Sequence, residues 1–115
     1  MKKLKVAIFF FILLIIPSVS YANEFNIAHI REQGQDIIII PLDSSFQSKT
    51  QSQRNQIIFA LQLCARSAGL AGRVVVMWEH NSNVMYIAPQ QWHSFFNSID
   101  LVWVAQNINR TLTCN

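Results

Sequence analysis

The sequence predicts an α+β domain: a small antiparallel sheet of two β-hairpins packed by two main helices, in the order ββαββα. Three observations carry that expectation. Short runs of β-branched and aromatic residues occur in pairs, each pair split by a polar turn. Between the pairs lies a segment whose apolar residues recur at three- and four-residue spacing, the signature of an amphipathic helix. The chain has two cysteines, Cys64 near the end of that helix and Cys114 at the far end of the sequence.

The first residues stand apart from this domain. Lys2, Lys3 and Lys5 precede an unbroken apolar run of eleven residues, Val6 to Ile16. Pro17 breaks the run, and Ser20 and Ala22 put small residues at −3 and −1 of a cleavage point before Asn23. The expectation is a secretory signal peptide over residues 1–22, of a bacterial kind, and a single small domain over residues 23–115. A retained anchor would need about 20 apolar residues to cross a membrane. The formal charge of +3 belongs to those three lysines, because residues 23–115 carry six basic and six acidic side chains. A near-neutral domain has no electrostatic footprint for nucleic acid, and none is expected as a partner.

Asn23 to Arg31, with Phe25, Ile27 and Ile30 among polar residues, reads as an edge strand. Glu32 to Gln35 is a turn, and Ile37 to Ile40 is a strand ended by Pro41. Four β-branched residues in a row suit a strand buried on both faces. Leu42 to Lys49 is a loop in which Phe46 is the expected anchor. Thr50 and Gln53 have the spacing of a capping box. Behind them, Ile57, Ile58, Leu61, Cys64, Ala65 and Ala68 form one stripe, widened by Phe59 and Leu63. Gly69 is placed to end the helix, with Arg66 facing its negative end.

Arg73 to Glu79 and Val84 to Ala88 are the second hairpin, joined by the turn His80 to Asn83. Gln90 to Asn97 is expected as a short helix. Ser98 is expected to cap a last helix bearing Leu101, Val104, Ala105, Ile108 and Leu112. Each half thus reads strand, turn, strand, Pro, Phe-bearing linker, helix, Cys, so the layout admits an internal ββα duplication. Asn109-Arg110-Thr111 is a glycosylation sequon in form, with meaning only in a eukaryotic source.

In an oxidising compartment two cysteines in a small domain most simply pair, and Cys64–Cys114 is the expected disulfide. Neither cysteine has a Cys-x-x-Cys partner or a histidine at ligand spacing. His29, His80 and His93 lie far apart in sequence and match no zinc motif. A Gly-x-Ser-x-Gly elbow and a Gly-rich phosphate loop are both missing. No catalytic residue, metal site or cofactor is therefore put forward.

The strands 37–40, 74–78 and 84–88 are apolar on both faces, whereas two helices on one side cover only one. The second face calls either for the aromatic segment Trp92, His93, Phe95 and Phe96 or for another protein. Those four residues are the candidate interaction surface, since aromatic clusters of this kind occupy interface centres. Their alternative role is to complete the core. The functional expectation is a small periplasmic (alternatively secreted), non-enzymatic protein-binding or accessory factor: an inhibitor, an immunity-type factor or an envelope-assembly component. Its partner would be another envelope protein or a second copy of the chain. The alternative is a small secreted hydrolase or toxin acting in the cell envelope, with His93 or His80 as base.

Overall fold

The computed structural model describes residues 23–115; the expected signal peptide falls on residues 1–22 and lies outside them. The elements are β1 (Asn23–Glu32), β2 (Gln35–Pro41), α1 (Gln51–Ser67), β3 (Arg73–His80), β4 (Asn83–Ile87), α2 (His93–Asn97), α3 (Leu101–Gln106) and β5 (Arg110–Cys114). Short 3-10 turns occupy Ser44–Ser48 and Gln90–Trp92. One five-stranded sheet runs in the order β4-β3-β2-β1-β5.

Both expected hairpins form. The β1–β2 turn has positive φ at Gln33 and Gly34, and the β3–β4 turn has positive φ at Asn81 and Ser82. Two consecutive left-handed residues give a turn whose twist matches that of the flanking strands. Arg31 steadies the first turn, donating to the Gly34 carbonyl and pairing with Asp36 at 3.1 Å.

The sheet is mixed, which corrects the expected antiparallel one. β2 and β3 run parallel, with Ile37 opposite Arg73 and Pro41 opposite Met77. A parallel pair needs a long crossover, and the loop, α1 and the Gly-containing turn supply it. The arrangement also sets the two most apolar strands side by side at the centre, where both faces are covered. β1, expected at an edge, lies inside the sheet. Its residues 28–32 pair with β2 and its residues 23–27 pair with β5.

The last helix is shorter than expected. Asp100, rather than Ser98, caps it by accepting the Trp103 N–H at 2.8 Å, and the helix ends at Gln106. Leu112 leaves the helical stripe and is buried in β5. The β-branched Thr111 and Thr113 favour that strand. Asn109 attaches it: its N–H reaches the Ile27 carbonyl, its Nδ2 donates to the His29 carbonyl, and its Oδ1 accepts the His29 N–H. A side-chain amide thereby adds one step to the β1–β5 ladder. The order is consequently ββαββααβ, and the helices lie on opposite faces of the sheet. The second half therefore does not repeat the placement of the first, as a ββα duplication would require.

Two cores result. On one face Ile38, Ile40, Val74, Val76 and Trp78 meet Leu61 and Ala65 of α1, together with Phe46. On the other, Ile37, Ile39, Val75 and Met77 meet Trp92, Phe96 and Val104. Alternation along each central strand divides its side chains between the two. Every one of these aliphatic side chains is buried, and each Val, Leu, Ile and Met among them contributes about 1.5–3 kcal/mol by leaving water.

α1 is held at both ends and in the middle. The Thr50 hydroxyl accepts the Gln53 N–H at 3.1 Å and the Gln53 side chain accepts the Thr50 N–H at 2.9 Å, completing the capping box. Gly69, with φ of +80°, ends the helix. Gln62 clamps it to β3, donating to the Gly72 carbonyl at 3.0 Å and accepting the Val74 N–H at 2.8 Å.

Candidate functional site

The aromatic segment nominated as an interaction surface turns inward. Trp92 and Phe96 are 2% and 1% exposed, in the core of the second sheet face. Phe95 and His93 are half-buried beside them. Phe95 packs edge-on to both Phe96 and Trp103, and Tyr86 packs edge-on to His93. The Tyr86 hydroxyl donates to Asn97 Oδ1 at 2.7 Å, and His93 Nε2 donates to the Ala88 carbonyl at 2.9 Å. These bonds tie the segment to the end of β4. Trp92 Nε1 is the exception: it is buried with no hydrogen-bond partner among the described residues.

The histidines stay apart. His29 Nε2 donates to the Ala71 carbonyl at 2.7 Å, His93 is engaged as described, and His80 lies at the β3–β4 turn beside Asn81. Among the described residues no three His, Cys, Asp or Glu side chains gather as a metal site would require. Asp43 is the carboxylate with a distinct environment. Hydrogen bonds from the Ser45 hydroxyl and the Ser45 N–H hold its pKa below the ordinary 3.8. It serves as the cap of the Ser44–Ser48 turn.

That turn supports a half-buried cation. The Arg54 guanidinium lies 5.6 Å from the Phe46 ring centre and 5.2 Å from that of Trp78, and it donates to the carbonyls of Phe46 and Gln47. Trp78 Nε1 in turn donates to Gln47 Oε1 at 2.8 Å. Arg54 is thus used up in closing the loop over the first core.

The Cys64–Cys114 disulfide forms, with an S–S distance of 2.08 Å and Cα atoms 5.8 Å apart. Residue 114 shares a sheet face with Asn23, its partner in the ladder, so Cys114 points toward α1. The bond ties the end of β5 to the helix across the edge of the first core.

Around that bond lies an open groove of about 710 Å³. One wall is α1, through Ile57, Ala60, Leu63 and Ser67; the other is the start of β1 and the end of β5, through Phe25 and Thr113. Its volume is in the range of sites that take small molecules or a few side chains. None of its twelve lining residues has a charged side chain. Leu63 is 46% exposed, and Phe59, one helical turn earlier, is 65% exposed. Both residues are expected from the sequence to widen the apolar stripe of α1, and both face solvent at its margin. The signal that sets them apart is their offset from the Leu61–Ala65 line, the two helix residues that are fully packed.

The groove is therefore an apolar concavity left open among the described residues, and Trp92 and Phe96 of the aromatic segment belong to the interior. Comparison with protein-family models, with curated proteins and with solved structures finds no match to this chain.

Proposed function

We propose that the protein is a small, non-enzymatic binding or accessory factor of the periplasm, whose partner is another protein docked at the α1–β5 groove. The observation that carries this reading is a groove without charged side chains whose lining includes the exposed Leu63, with Phe59 exposed one helical turn before it on α1. Large apolar side chains displayed together beside a concavity are what a protein-binding surface presents. The disulfide, which persists in oxidising surroundings, supports a compartment outside the cytoplasm. The signal-like start of the sequence agrees with that placement. No helix among the described residues is long and apolar enough to cross a membrane.

Site-specific photo-crosslinking in cells tests the proposal. A photoreactive phenylalanine at position 63 should yield a discrete adduct with another protein. The same group at Val102, exposed on α3 and outside the groove, should not. Adducts at neither position, or equally at both, would remove the groove as the docking site.

A further inference from the structure

We infer that the groove takes its partner as an extended, uncharged strand that adds to the free edge of β5 and lowers alternate apolar side chains beneath α1. The inference rests on the protein-binding reading above and names the chemistry of the partner.

Backbone polarity supplies the first argument. β5 ends the sheet, so its outer edge has no strand partner among the described residues. In an antiparallel ladder, alternate residues turn their N–H and C=O to opposite sides. The Ile27 carbonyl and both backbone groups of His29 bond to Asn109, so the odd-numbered residues of this part of β1 face β5. Their opposites Arg110 and Leu112 face back, which leaves the backbone groups of Thr111 and Thr113 directed outward. Unpaired groups in that array are complementary to another extended backbone.

The second argument is charge. An edge kept from pairing usually carries lysine, proline or an inward-pointing charge. β5 reads Arg-Thr-Leu-Thr-Cys, and its single charge is at Arg110, away from the groove end marked by Thr113 and Cys114. No side chain of the lining carries a charge to pair with a buried one, so apolar side chains are the better fit.

Rigidity is the third. The disulfide holds the end of β5 to α1, and Asn109 fixes its start to β1. An incoming strand meets an edge already ordered, so little conformational entropy is lost on this side of the interface.

Peptides selected from a displayed random library against the oxidised protein provide the probe. Selected sequences should lack charge at alternate positions, and their amide shift changes should map to β5 and to residues 57–67 of α1. N-methylation of one alternate set of peptide backbone amides should weaken binding by at least about tenfold, while the other set tolerates it. Thr113→Pro removes one outward donor and Ala60→Glu places a charge in the groove. Each should lose binding to the same extent while keeping the melting temperature of the parent protein, which shows that the variant folds. Peptides that bind elsewhere, or that ignore backbone methylation, would overturn the strand-addition inference and leave a protein-binding role standing. If no peptide binds and sedimentation shows a dimer abolished by Thr113→Pro, the edge belongs to a second copy and the inference is overturned. If no peptide binds, the protein is monomeric and position 63 yields no adduct, the binding role falls as well.

Discussion

Gly72 has φ of +120°, and a Cβ placed there would come within 2.6 Å of the Asp36 carbonyl oxygen. Backbone strain and a clash with main chain act together at this position. Gly72→Ala is expected to lower stability by about 2 kcal/mol or more, since strained φ alone costs about 1–3. Gly34→Ala meets nothing within 4 Å and should cost only about 1 kcal/mol, through its φ of +76°. Urea denaturation of both variants measures the contrast. Trp92 is the opposite case, a side chain whose polar atom has gained nothing. A buried unpaired donor costs about 1–3 kcal/mol, so Trp92→Phe removes that penalty along with some packing. The two effects should nearly cancel, leaving the variant within about 1 kcal/mol of the parent in the same denaturation assay.

At the scale of elements, each local device is legible in the residues that make it. Thr50 and Gln53 cap α1, Gly69 ends it, and the hairpin turns lie where polar pairs interrupt apolar runs. The β3–β4 turn retains a residue ill-suited to it. Ser82 has φ of +65°, where an L side chain is disfavoured and glycine is not. Ser82→Gly is expected to raise stability by about 0.5–1 kcal/mol, read as a higher urea midpoint with an unchanged slope. α3 and β5 are where local reading stopped short. The spacing of Leu101, Val104, Ala105, Ile108 and Leu112 fits a helix, and nearby only the β-branched Thr111 and Thr113 speak against it. The decision belongs to β1, whose open N–H and C=O at His29 are met by Asn109 some eighty residues away. Hydrogen-bonding demand on one strand overrode periodicity in another segment.

For the molecule as a whole, two structures bind distant parts of the chain. The disulfide closes a loop with a sequence separation of 50. Its reduction should lower stability by about 2–4 kcal/mol, checked by comparing melting temperatures with and without reductant. The aromatic segment closes the second sheet face with Trp92, Phe96 and Val104. Because that face is built on the same central strands as the first, the segment should unfold with the sheet. Phe96→Ala is expected to cost about 3–5 kcal/mol in a single cooperative transition. Loss of the segment's hydrogen-exchange protection well before that of β2 and β3 would contradict it.

From the residues alone came the two hairpins, the capped α1, the pairing of Cys64 with Cys114 and the need to cover strands apolar on both faces. Each depends on neighbours close in sequence or on the simple arithmetic of two thiols and two sheet faces. The tertiary structure decided the rest. It set β2 parallel to β3, drew β1 inside the sheet, turned residues 110–114 into its edge and sent Trp92 and Phe96 into the core. It also left a groove beside α1 with Leu63 in its lining, since one helix cannot cover the full width of a five-stranded face. These outcomes follow from which strand lies next to which. Strand order is set by the free energy of whole faces and by backbone pairing across the entire chain, quantities that no short window of sequence contains.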